Sequence, residues 1–174
     1  MVSKNNLTKH QLEIIANVAS VEAVKAYESR HKKKQQEIKS RNLRNTELLL
    51  KNYTKLKDLC DETIQEEIPD DYPDFSMENL TLESLTMYRK KTLMMMNHVD
   101  KMLVAYEWNC MRGSVEEKRR YNILKHRYLV GDKLTAKEIV TLHNIDQSTV
   151  YRDTKQAIKD MSILLFGIDA IDFH

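Results

Sequence analysis

Apolar residues recur along this chain at steps of three and four, the spacing that lines one face of an α-helix. Leu12, Ile15, Val18, Ala19, Ala23 and Tyr27 mark a helix over residues 8–27. Leu48, Leu49, Tyr53, Leu56, Cys60 and Ile64 mark a second apolar face. A third runs through Leu85, Tyr88, Thr92, Met95 or Met96, Val99, Leu103 and Tyr106, with Trp108 near its end. Ser76 or Thr81 is placed to cap that helix, and Gly113 follows Arg112 to stop it. Only three glycines and two prolines interrupt the 174 residues. The pattern predicts an all-α fold, with long N-terminal helices followed by a C-terminal three-helix helix-turn-helix domain.

The last third is the most finely punctuated. Ser114 and Glu117 have the spacing of a capping box, in which each residue's side chain accepts the other's backbone N–H. The helix they open is expected to bury Tyr121, Leu124, Tyr128 and Leu129 and to expose Lys118, Arg119, Arg120, Lys125 and Arg127, with Gly131 ending it. Thr135 and Glu138 form a second capping box, opening a short helix from Ala136 to His143 with Ile139 and Leu142 inward. Asn144 suits the left-handed backbone of a tight turn, and Ile145 is expected to point into the crease between the helices. Asp146 can cap the third helix. Its inward positions are Val150, Thr154, Ala157, Ile158, Met161 and Leu165, and its opposite face is Gln147, Ser148, Tyr151, Arg152 and Lys155.

Charge divides the chain more sharply than its net +2 suggests. Residues 1–57 carry 13 Lys/Arg and 5 Asp/Glu, whereas residues 58–83 carry no Lys/Arg and 10 Asp/Glu. Residues 114–165 carry 10 and 7. The expected organisation is a basic N-terminal helical region over 1–65, an acidic, proline-containing linker over 66–76, a central helix over 77–113 and the helix-turn-helix domain over 114–174. Segregated basic charge suits a polyanion, though a solvated helix surface carries it equally well. Cys60 and Cys110 have no ligand-spaced neighbours, so neither a disulfide framework nor a zinc pattern is readable, and the Met94-Met95-Met96 run reads as packing filler. No cofactor or metal site is indicated. No signal peptide and no membrane span is legible, so a cytoplasmic protein is expected. The histidines are scattered and no catalytic set converges, which argues against an enzyme. The N-terminal helices are candidates to pair in a homodimer, although their apolar positions keep no strict seven-residue repeat.

A polar face at the start of a capped second helix is what major-groove reading requires. Gln147, Ser148, Tyr151 and Arg152 are therefore the candidate base-reading residues. Lys155, Arg119, Arg120 and Lys133 are the candidate phosphate contacts. Double-stranded DNA is the expected partner.

The run from Leu134 to Ile139 and then Ser148-Thr149-Val150-Tyr151-Arg152-Asp153 resembles region 4 of bacterial sigma factors, the part that reads promoter −35 elements. With Ala157-Ile158, Leu164-Leu165-Phe166-Gly167-Ile168 and the upstream run from Arg44 to Tyr53, the chain looks more like the phage late-gene transcription activators of the ArpU/RinA type. The resemblance covers about 114–171 well and 41–60 in part. It implies a DNA-binding activator of phage or prophage late genes in a Gram-positive bacterial cytoplasm, with bacterial RNA polymerase as a second partner. Sigma factors often carry Arg or Glu where this chain has Gln147 and Ser148, so a different site is expected to be read. No match to the −10-reading sigma region is present. Two other readings stand beside it: the small, DNA-recognising subunit of a phage packaging terminase, and a sigma-like factor that contacts RNA polymerase rather than DNA.

Overall fold

The computed structural model describes residues 8–63 and 82–167, with the side chains of 61–63 and 82–86 left aside. Every element among them is helical, and the fold is all-α. The elements are α1 (Lys9–Lys51), α2 (Tyr53–Thr63), α3 (Leu82–Arg112), α4 (Val115–Leu124), α5 (Ala136–His143) and α6 (Gln147–Phe166). One wide π-helical turn, Lys125–Leu129, continues α4. The acidic linker, the Ser76 and Thr81 caps, Ile64 and residues 168–174 lie outside the described residues. No described helix is long and apolar enough to cross a membrane.

The chain divides into two compact units, Met1–Ser40 and Arg41–His174. In the first, residues 8–37 are all exposed along a single helix, including Leu12, Ile15, Val18 and Tyr27. The basic run from Arg30 to Lys34 continues the same helix as the apolar segment 8–27.

The second unit begins upstream of the expected linker. Residues 41–63, grouped by the sequence with the basic N-terminal region, pack here because their apolar face meets α3. Leu50 joins Val99, Leu103, Tyr106, Cys110, Tyr121, Leu124, Tyr128, Ala157 and Met161 in the main core. Tyr53 donates its hydroxyl to Asp100 at 2.8 Å, and Lys57 pairs with the other oxygen of that carboxylate at 2.7 Å. The second apolar face is also not one helix. Asn52 separates α1 from α2, and its side-chain amide donates to the Leu48 carbonyl at 2.8 Å, a local bond that competes with regular helix.

The α3 face is close to that expected. Met96, Val99, Leu103 and Tyr106 are buried, whereas Met95 and Tyr88 are exposed. Trp108 is exposed as well, its ring covered by the Arg112 guanidinium at 4.0 Å. Burial raises the Cys110 thiol above its ordinary pKa, which keeps it protonated and unreactive near neutrality.

Candidate nucleic-acid interface

The helix-turn-helix is assembled from local signals. The Ser114 Oγ accepts from the Glu117 N–H, and the Glu117 carboxylate accepts from the Ser114 N–H at 2.6 Å. The Thr135–Glu138 box closes in the same way, its backbone donor at 2.7 Å. Both carboxylates are held below the usual range by the backbone N–H they accept. Asn144 ends α5 at φ 49 and ψ 52, the one non-glycine residue with positive φ among the described residues. Its side chain tolerates that backbone better than any other except glycine. The turn then releases α6.

A small core fixes α5 against α6. Ile123, Ile139 and Val150 are fully buried, with Leu134, Ala136, Val140 and Ile145 packed around them. Ile145 sits in the crease as expected. Leu142 does not face inward; it is 56% exposed, and Val140 takes the inward place. Asp146 stands at the N-cap of α6, but its carboxylate accepts no capping hydrogen bond. Gly131 does not stop α4 with a left-handed residue either. The helix runs on through the π turn and leaves it at Val130 in extended conformation, and the His126 carbonyl accepts from Leu134 N–H at 2.9 Å to close the loop.

The π turn has a consequence at the candidate surface. It sets Arg127 against α6, where its guanidinium donates to Thr154 Oγ1 at 3.0 Å and lies 5.8 Å from the Tyr151 ring centroid. Arg127 therefore joins the candidate residues. The sequence shows it only as one more exposed cation, and the wide turn that redirects it has no signature there.

Gln147, Ser148, Tyr151, Arg152 and Lys155 are all exposed along the first two turns of α6. Gln147 Nε2 reaches Tyr151 Oη at 3.3 Å. The Arg152 side chain is 70% exposed, and its Nε stands 3.6 Å from Asp153. These five residues form one polar face with two cations.

The other three expected phosphate contacts are placed differently. Arg119 donates Nε to the buried Asp153 at 2.7 Å. Arg120 pairs with Asp160 at 3.1 Å, and that carboxylate also accepts from Gln156 and Tyr106. Burying a carboxylate is costly unless a cation and hydrogen bonds satisfy it, so both arginines are drawn inward from α4 to brace α6. Lys133 donates to the Lys51 carbonyl at 2.9 Å, satisfying the C-terminal end of α1. Of the expected phosphate contacts, only Lys155 extends outward free of such a role.

Compared with protein families, curated proteins and solved structures, the chain matches none.

Behind the polar face, His143 is packed beside His126, their rings 5.9 Å apart. Its pKa is lowered, first by desolvation and then by the charges of His126 and Arg119. It is therefore the neutral imidazole that, at the end of α5, faces His126 of the π turn at pH 7. Among the described residues no three His, Cys, Asp or Glu side chains converge as a metal site would require.

Proposed function

We propose that the chain is a sequence-specific double-stranded DNA-binding regulator of transcription, in which the first two turns of α6 read the major groove. The observation that carries this reading is the exposed face of Gln147, Ser148, Tyr151 and Arg152. It stands on a helix fixed by a left-handed Asn turn and a closed apolar core. Polar side chains at the start of such a helix reach base edges once the helix lies in the groove. Arg152 offers two parallel donors to guanine O6 and N7, and Gln147 a donor–acceptor pair to adenine. Ser148 and Tyr151 add hydrogen bonds or a thymine-methyl contact. Lys155 contacts phosphate, and Arg127 supports Tyr151 from behind.

The likeness to phage late-gene activators extends this reading to activation of phage or prophage genes inside a bacterial cell, with RNA polymerase as a protein partner. A second copy of the chain is the remaining partner. The exposed Leu12, Ile15, Val18 and Tyr27 support it, and sedimentation equilibrium measures it.

The test is recovery of sheared phage or host DNA bound by the purified protein, followed by sequencing. Sharp peaks upstream of late or lysis genes are the expected result. Peaks at a packaging start site reassign the protein to packaging. Uniform recovery rejects base reading by α6.

A further inference from the structure

We infer that the segment Arg30–Lys34 of α1 is a second DNA-binding element, which grips phosphates without reading sequence. Arg30, His31, Lys32, Lys33 and Lys34 are consecutive, helical and exposed. One residue advances the helix by about 100°, so Arg30, Lys33 and Lys34 share one face while Lys32 projects from the opposite side. Like charges three and four apart destabilise a helix. Glu28 and Glu37 flank the run at helical spacing and offset part of that repulsion, but the ion pairs that close nearby, such as Lys25 with Glu22, leave Arg30, Lys33 and Lys34 extended to solvent. His31 is occupied differently, its ring stacked on Tyr27 at 6.1 Å.

What such a segment fits is a dense polyanion. Three permanent cations on one face, Arg30, Lys33 and Lys34, lie within about 6 Å of helix axis, and B-form DNA carries one negative charge per roughly 1.7 Å of its own axis. An anionic bilayer would want apolar side chains among the cations to enter the acyl region. From Glu28 to Glu37 every residue is polar or charged, which leaves phosphate contact as the function the segment supports. The inference rests on the reading of the chain as a DNA-binding protein, but on residues other than those that read bases.

The experiment uses the full chain and a fluorescent 30-bp duplex of random sequence, titrated from 50 to 200 mM salt. A fragment recovered by the chain serves as a second duplex. The variants are Arg30→Ala/Lys33→Ala/Lys34→Ala and, separately, Arg152→Ala. Alanine is the best helix former, and circular dichroism checks that the triple variant keeps its helix. Each phosphate contact contributes about 0.9 to the slope of log K against log salt. The triple variant is expected to lose roughly 2–3 from that slope, and to weaken on both duplexes by the same factor. Arg152→Ala is expected to weaken chiefly on the recovered fragment. A triple variant with the wild-type slope and affinity overturns the inference, whatever Arg152→Ala does. Loss of slope in the triple variant beside an indifferent Arg152→Ala upholds this element and removes the α6 reading. A wild-type chain without salt-dependent DNA affinity removes both.

Discussion

Asp153 stands beside the exposed Arg152 yet is itself buried, and it accepts Arg119 Nε at 2.7 Å from α4. Without the carboxylate, a guanidinium only a fifth exposed is left unpaired. Asp153→Ala is expected to cost roughly 1–3 kcal/mol of stability, the range for leaving a buried donor without its partner. Urea unfolding measures it, and a double-mutant cycle with Arg119→Ala shows whether the two losses are shared. Equal stability of Asp153→Ala and the native chain would mean the pair braces nothing. A pH effect belongs to the same scale. His143 has a folded-state pKa below its ordinary value, so the unfolded chain binds the proton more readily. The stability from neutral His143 is complete above about pH 6.5 and is lost as pH falls towards the depressed folded value. The urea midpoint should fall between pH 7.5 and 5.5, and His143→Gln should flatten that fall. An unchanged pH profile in the variant would show that His143 is not the group responsible.

At the scale of elements, the two capping boxes decide where α4 and α5 start. Thr135→Ala removes the oxygen that receives Glu138 N–H and is expected to cost about 1 kcal/mol, read as a shift in the urea midpoint. A neutral result would mean the apolar core alone sets the start of α5. The two capping boxes, the Asn144 turn and the exposed face of α6 were legible in the sequence because each is set within one helix or turn, whereas the Asp146 side chain, equally suited to capping, makes no such bond. Less local features were not. The partners of Arg119, Arg120 and Lys133 lie 34, 40 and 82 residues away, and a one-dimensional pattern counts such cations as exposed. Leu142 was misplaced because an eight-residue helix gives barely two turns from which to fix the inward direction.

For the whole molecule, the charge distribution supplies the argument about a partner. Residues 1–57 and 114–165 carry the excess of cations, and residues 58–83 the excess of acids. A net charge of +2 therefore understates the local attraction either basic part can exert on a polyanion. In the proposed function the first compact unit contributes sequence-independent phosphate contacts, and the second contributes base reading together with the Lys155 phosphate contact. Affinity gained from phosphates is shared by every sequence, whereas the proposed discrimination rests on a few side chains of α6.

The most direct test of base reading is the ratio of two affinities at one salt concentration, for a recovered fragment and for a scrambled duplex of the same composition. The native chain should prefer the recovered fragment by about 1,000-fold or more. Arg152→Ala should lose roughly 1–3 kcal/mol of that preference, with its affinity for the scrambled duplex nearly unchanged. A native chain that binds both duplexes alike, or an Arg152→Ala chain that keeps the full ratio, would contradict the assignment of α6 as the reading helix.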